Sequence, residues 1–498
     1  MLLNAVEVAK HNTTSSCWIV INRKVYDVTS YLDQHPGGAA ILIKQSGKDA
    51  TPQFRTVHSP DVLENLPKGS YLGEMDPAAL ATLTSESATA APPIPTPTSS
   101  PSSSPPSPIP TKQSAPHIAH CVRVSDFETA AKGIFSANVF SYVSSNANSG
   151  LSMQGNLSSW ESITFRPRVL RGVEHVSPRS RIFGHDTPFP FFVCPMGQLG
   201  RCHPDGEDEL VRGLARRGIH GLISTESSRP MEGIMSALRD EQEKLSSSGV
   251  IGSQLHFQLY VYADQAVTRK RIRRAKEAGY KSLWVTVDTP ILGKRTSDRR
   301  IQVSEALEIG LEQAAEQAGF GRRSHVTPSV FRPGLSWADL EWIKEEWDGP
   351  VVLKGVQCAE DARLAVKYGC QGILLSNHGG RQAHTAPDAL STLLEIREYA
   401  PEVLGQLDIF VDGGLRDGAD VLKAICLGAT AVGVGRPFFY ALGVYGSKGV
   451  ERCIDILSEE LASGMSLLGI TSLEEARPER VNATRLLNAM WRPEKSRL

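Results

Sequence analysis

The sequence predicts an α/β chain whose larger part is a parallel (β/α)8 barrel behind a small N-terminal domain. Three observations predict it. Eight short apolar runs between residues 191 and 436 alternate with amphipathic stretches of helical period. Polar residues recur at the C-terminal ends of those runs. A tract rich in Ala, Thr, Ser and Pro, from about Pro77 to Pro116, carries no apolar periodicity. A chain of 498 residues exceeds one ordinary core, and the tract marks where it divides. The expected segments are a domain at 1–76, a spacer at 77–116 and the barrel domain at 117–498. No tandem repeat of fixed period is present.

The spacer, with "APPIPTPTSSPSSSPPSPIPT" at its centre, has nothing to offset the entropy of ordering. Its proline density predicts a semi-extended, polyproline-biased connector. In the larger domain the eight predicted strands are "FFVCP" (191–195), "GLIST" (221–225), "LHFQLY" (255–260), "LWVTVD" (283–288), "VVLKG" (351–355), "GILLS" (372–376), "IFVDGG" (409–414) and "AVGVGR" (431–436). At or beside their C-terminal ends stand Ser224, Gln258, Tyr260, Thr286, Asp288, Lys354, Ser376, His378, Asp412 and Arg436. In a barrel those ends converge on one mouth, where active sites are built. One polar strand end reads as a turn; so many read as a site.

The composition is that of a globular domain pair, 41% hydrophobic and 21% charged. A net charge of −1 gives no global field for nucleic acid or an anionic membrane. Apolar runs such as "FPFFVCPMG" fall far short of the roughly 20 residues a membrane span needs. The 8 cysteines are scattered without CxxC pairs, which predicts reduced thiols in an intracellular, soluble protein. No secretory signal is apparent at the N-terminus. Ser496-Arg497-Leu498 differs from a peroxisomal address only by Arg for Lys. Peroxisome, mitochondrial intermembrane space and cytoplasm all remain open, as does a chance tripeptide.

The small domain carries Trp18, "VYDV" (25–28), "HPGG" (35–38), "GKDAT" (47–51), Phe54 and His58. On these motifs, essentially all of residues 1–75 resemble the cytochrome b5 family. The resemblance implies a small α+β domain with haem b held between His35 and His58. Two neutral imidazoles with no open coordination position suit electron transfer. Pro36 and the glycines after it would let the backbone turn tightly beside the ligand. An isolated His-Pro-Gly-Gly would otherwise be a plain turn. The sequence departs at Arg23, where the family usually has a glycine before the "VYDV" strand.

Residues 117–495 carry "HPDGE" (203–207), "QLYV" (258–261), "TVDTP" (286–290), "LKGVQ" (353–357), "SNHGGRQ" (376–382), "VDGGLR" (411–416) and "VGRPF" (434–438). Together these resemble the FMN-dependent α-hydroxy acid dehydrogenase/oxidase family. Joined to a b5-like domain, the arrangement resembles the flavocytochrome b2 type of L-lactate dehydrogenase. Oxidising a 2-hydroxy acid requires a base, a cation for the carboxylate and a two-electron acceptor. The resemblance makes His378 the base, oriented by Asp288, and Arg381 the bidentate carboxylate clamp. Tyr142 and Tyr260 match tyrosines that hydrogen-bond the substrate, and Arg295 matches a second, mobile arginine. For FMN it implies Gly413, Gly414, Arg416, Gly435 and Arg436 at the phosphate, Asp412 at the ribityl chain and Lys354 at the N1–C2=O edge. Ser224, Gln258, Thr286 and Ser376 complete the flavin contacts.

Two departures bear on specificity. Around Tyr142 the chain reads "YVSSNA", and beside the flavin it reads Pro195-Met196-Gly197 where the family carries an Ala-Thr-Ala-like segment. Gly197 could enlarge the pocket beyond a methyl group, so L-lactate is only the default substrate. Between Arg295 and Arg332 a long polar excursion is either a mobile lid or a surface helical insertion. The expected function is oxidation of an L-2-hydroxy acid by FMN, one-electron transfer to the haem, and reduction of an acceptor such as cytochrome c. An oxygen-using oxidase, a dehydrogenase for a bulkier hydroxy acid and a non-catalytic haem carrier are the rivals. Whether the reaction starts by hydride transfer or by α-proton abstraction is open. The family implies a homo-oligomer, commonly a tetramer.

Overall fold

A computed structural model describes residues 2–35, 37–76, 80, 114–320 and 331–493. The proline-rich spacer lies almost wholly outside the described residues, as do Ser496-Arg497-Leu498 and positions 321–330 of the excursion. The chain divides into two compact units. One comprises Met1–Thr56, Val62–Ala115 and Arg300–Pro328; the other comprises Val57–Asp61, Pro116–Arg299 and Ser329–Leu498.

The first unit is built on a five-stranded sheet in the order Leu2–Leu3, Tyr71–Met75, Lys24–Asp27, Ser16–Ile21, Asn12–Thr13. Strands Ser16–Ile21 and Lys24–Asp27 pair antiparallel through the two-residue turn Asn22-Arg23. Both turn residues are left-handed, with φ of 50° and 68°. That is the backbone a tight hairpin demands. Arg23 therefore does the work expected of a glycine, and the departure noted in the sequence leaves the hairpin intact. Alternation along the strands sends Cys17, Ile19 and Ile21 to one buried cluster, with Tyr26, Val28 and Leu32. Val20 and Val25 join Val8 and Met75 in another.

The second unit contains a closed, all-parallel eight-stranded barrel. Its strands are β1 (Phe191–Val193), β2 (Gly221–Ile223), β3 (Leu255–Leu259), β4 (Leu283–Thr286), β5 (Val351–Val356), β6 (Gly372–Leu375), β7 (Asp408–Asp412) and β8 (Ala431–Val434). All eight coincide with the predicted runs, and helices separate them in sequence. Because side chains alternate along a strand, residues two apart face the same way. Phe192, Leu222, Trp284, Val352, Leu374, Phe410 and Ala431 form one buried inner cluster, closed by Phe183 from the hairpin Ser180–Ile182/His185–Thr187. Two residues further along the strands come Ser224, Thr286, Lys354, Ser376 and Asp412, also buried. The interior thus has an apolar tier and, nearer the C-terminal ends, a polar tier. Only the second can do chemistry.

The excursion forms two helices, Thr296–Glu308 and Glu312–Phe320. All 8 cysteines are unpaired, as their spacing predicts. Among the described residues no helix is long and apolar enough to cross a membrane.

Candidate active site

The turn that leaves β6 carries the chemistry. His378, Gly379 and Gly380 all have positive φ, at 60°, 63° and 77°. Glycine adopts this region freely; histidine does so at a cost of order 1 kcal/mol or more, which the surroundings must hold in place. They do so through amides. Asn377 and Asn156 exchange two hydrogen bonds, at 2.8 and 2.7 Å, and Asn377 Oδ1 accepts from Gly380 N at 2.9 Å. Gln382 donates to the carbonyls of Asp288 and Ile291, both at 2.9 Å, and accepts from Gly293 N at 3.0 Å. The turn after β6 is thereby stitched to the loop after β4.

That stitching sets His378 against Asp288. Nδ1 lies 3.0 and 3.2 Å from the two carboxylate oxygens, and Nε2 lies 3.3 Å from Tyr260 Oη. The Asp288 side chain is 1% exposed. Burial alone would raise its pKa, but the His378 and Lys354 charges outweigh burial and hold it down at about 2. Burial pulls the imidazole the other way, below its ordinary value, against the attraction of Asp288. The pair is therefore an ionised carboxylate and a neutral ring near pH 7. Asp288 can only accept, so Nδ1 holds the proton and Nε2 offers its lone pair. Burial, then the Asp288 charge, pushes the Tyr260 phenol far up, leaving it a permanent donor. Room for Asp288 comes from Gly355 (φ 108°), where an added Cβ would fall 2.6 Å from the Asp288 Cβ.

Facing this pair is a half-buried cation. Burial first, and repulsion from Arg295 second, lower the Arg381 guanidinium to about 9, so it stays charged near neutrality. Its Cζ sits 5.2 Å from the Tyr142 ring centroid, and that of Arg201 sits 4.7 Å from it. Positive charge this concentrated, with no carboxylate among the described residues in contact with Arg381, is a receptor for an anion. Tyr142, matched to a substrate-binding tyrosine, donates to the Gly197 carbonyl at 3.1 Å.

The polar tier of the barrel fits a flavin. Gln258 accepts from Ser224 Oγ at 3.2 Å and donates to Thr286 Oγ1 at 2.8 Å, forming a row across β2, β3 and β4. Ser376 Oγ accepts from His378 N at 3.0 Å. Lys354 is buried; Asp288 and Asp412 outweigh the effect of burial and hold its pKa above the ordinary value. Asp412 Oδ1 is a buried oxygen with no hydrogen-bond partner, as a ribityl hydroxyl would require. Among the described residues the backbone N–H groups of Gly413, Gly414 and Gly435 meet no protein acceptor. Arg416 bonds its own neighbour, the Leu415 carbonyl, at 2.8 Å. Arg436 is a clamp as well as a cation: it donates to the carbonyls of Val143 (2.9 Å), Gly379 (3.0 Å) and Ser145 (3.0 Å). Two of its five N–H groups remain for a phosphate.

In the small unit, His35 caps the 3-10 turn Thr29–Gln34, and its Nδ1 lies 3.2 Å from the Gly38 carbonyl. A carbonyl only accepts, so that nitrogen is protonated and Nε2 carries the lone pair that a metal ligand needs. An added Cβ at Gly37 would come 2.8 Å from His35 Cε1, so the glycine clears the ring. His58, which falls with Val57–Asp61 in the other unit, follows helix Thr51–Val57. An imidazole is a ligand type that haem iron takes.

Sequence reasoning named His378, Asp288, Tyr260 and Arg381, which the structure brings together, and did not name the residues that support them: Asn156, Asn377, Gln382, Gly355 and, at the mouth, Glu226 with Tyr262. Asn377, Gln382 and Gly355 stood inside quoted motifs, beside the reactive residues. The others carried no sequence signal.

Comparison with known proteins agrees with this geometry. Residues 131–483 match the FMN-dependent dehydrogenase family, and residues 4–76 match the cytochrome b5-like heme/steroid binding domain. An L-lactate dehydrogenase (cytochrome) of Wickerhamomyces anomalus is 35% identical over 97% of this chain and 80% of its own. Glycolate oxidase 3 of Oryza sativa subsp. indica is 35% identical, over 71% of this chain and 94% of its own. Among solved structures, the flavin-binding domain of baker's yeast flavocytochrome b2 superposes with a TM-score of 0.67 at 32% identity, covering 76% of this chain and 90% of that one.

Proposed function

The chain belongs to the FMN-dependent dehydrogenase family, with a cytochrome b5-like haem domain ahead of the barrel, and from that membership we propose that it oxidises an L-2-hydroxy acid, by default L-lactate to pyruvate. Electrons then pass singly through the haem to an acceptor of the cytochrome c type. FMN supplies acceptance of two electrons, and haem b supplies relay of one at a time. Arg381 binds the substrate carboxylate, with Arg295 beside it. Tyr260 donates to the substrate hydroxyl. His378 Nε2 takes the proton that leaves the substrate, and Asp288 stabilises the imidazolium formed. The clasp of His378, Asp288 and Tyr260 beside the half-buried Arg381 is the observation that carries this reading.

For the flavin, Lys354, Ser224, Gln258, Thr286, Ser376 and Asp412 hold the ring and ribityl chain. Gly413, Gly414, Arg416, Gly435 and Arg436 hold the phosphate. His35 and His58 hold the haem iron. Residues 1–76 and 117–498 act as two domains joined by the spacer 77–116, and the protein works as a homo-oligomer, a tetramer by family resemblance. The test is anaerobic mixing of purified protein with L-2-hydroxy acids while flavin and Soret bands are followed. Flavin bleaching followed by haem reduction is expected. Bleaching without haem reduction would refute interdomain transfer, and peroxide formation in air exceeding cytochrome c reduction would favour the oxidase.

A further inference from the structure

Lactate offers a methyl group to its binding site, yet one wall of the mouth here is a carboxylate. Glu226 lies two residues past Ser224, at the C-terminal end of β2. Its backbone carbonyl accepts from Gln198 N at 2.9 Å. A Cβ built at Gly197 would stand 3.2 Å from the Glu226 Cβ and 3.6 Å from Tyr142 Oη, so Gly197, Tyr142 and Glu226 share one corner. Tyr142 is also the ring on which the Arg381 guanidinium lies. The corner therefore adjoins the carboxylate clamp.

Glu226 is held in place. Tyr262, only 2% exposed, donates its hydroxyl to Glu226 Oε1 at 2.6 Å, and the Arg271 guanidinium lies over the Tyr262 ring at 4.6 Å. The Glu226 charge reaches Tyr260: it is among those, after burial and Asp288, that keep the phenol protonated. The second oxygen, Oε2, meets no donor among the described residues. Arg201 bonds Gln198 Oε1 at 2.6 Å and does not come within ion-pair distance of Glu226. A half-buried carboxylate with one oxygen unmatched is poorly served by an apolar neighbour and well served by a donor.

We propose that Gly197 and Glu226 form the substrate side-chain pocket, and that the preferred substrate is an L-2-hydroxy acid whose side chain ends in a hydrogen-bond donor, above all an ammonium group. This rests on the hydroxy acid reading above and narrows it. Gly197 supplies the length such a side chain needs, and Glu226 supplies the counter-charge at its end. Lactate fills neither.

The test uses the full-length holoenzyme and a near-isosteric pair, L-4-amino-2-hydroxybutanoate and L-2-hydroxypentanoate, with L-lactate as reference. Anaerobic flavin bleaching and ferricyanide reduction give kcat/KM for each. The wild type is expected to favour the amine over its apolar partner by about tenfold or more, the scale of one buried charge-assisted contact. Glu226→Gln, which keeps an oxygen for Tyr262, should reduce that ratio to near one, and Glu226→Leu should invert it. Flavin and haem absorbance report that each variant is assembled. A wild type that favours 2-hydroxypentanoate or lactate, or variants that change all three substrates by one factor, would overturn the proposal. Silence with every 2-hydroxy acid would instead overturn the parent reading, and this one with it.

Discussion

Two glycine-rich turns that each begin with a histidine, one in each unit, use the same ring for different ends. In the barrel, His378 is left-handed and its Nδ1 faces a buried carboxylate. In the small unit, His35 is extended (φ −66°) and its Nδ1 faces a backbone carbonyl. Both partners put the proton on Nδ1 and the lone pair on Nε2. They differ in what happens when Nε2 takes up a positive charge. Asp288 carries a full negative charge and welcomes an imidazolium; the Gly38 carbonyl carries only a dipole and favours a neutral ligand. A proton acceptor and a metal ligand are thus told apart by the partner of the other nitrogen.

The sharpest way to break this comparison is to remove each ring in turn. His35→Ala should abolish the haem Soret band while substrate-driven ferricyanide reduction stays within about twofold, because the barrel keeps its own base. His378→Gln should leave the haem spectrum intact and slow flavin bleaching by about 10³–10⁴-fold in stopped flow, the range for a lost general base. Should His378→Gln bleach at the wild-type rate, the division of labour fails.

A smaller effect tests the supports. Gly355→Ala places a Cβ against Asp288 at φ 108°, a region nearly closed to L side chains. About 1–3 kcal/mol of stability should be lost, readable by thermal unfolding. Turnover should fall by about tenfold or more as Asp288 shifts off Nδ1.

The mildest test is pH. The reactive ring must be neutral, and its pKa is lowered, so kcat/KM should fall only as the medium turns acid, with a midpoint below 6.5. Asp288 raises the ring's pKa, so Asp288→Asn should move that midpoint further down. A midpoint above 6.5 would mean that Asp288, rather than burial, dominates the ring.

Much of this was legible beforehand, for a physical reason. Strands buried in a barrel must be continuously apolar, and a site at their ends must break that run with polar groups. The order of apolar runs and the polar residues at their ends therefore revealed eight strands and their mouth. Strand ends were overread by one or two residues, as at Pro195 and Thr225, because side chains that turn into the site still look apolar or β-branched. The contacts that make the supports work were invisible. Asn156 meets Asn377 across 221 positions, and Gly355 matters only because Asp288 folds against it. Arg436 was found as a cation, but its carbonyl partners could not be. Glu226 looked like an ordinary loop acid until its neighbours were in place.

The tiered interior of the barrel makes substitution outcomes alternate with a stride of two along each strand. Replacing Trp284, Val352 or Phe410 should deplete protein from the cell, whereas replacing Thr286, Lys354 or Asp412 should leave its abundance and silence its turnover. Such a parity lets selection retune what the enzyme accepts without reopening the question of whether it folds.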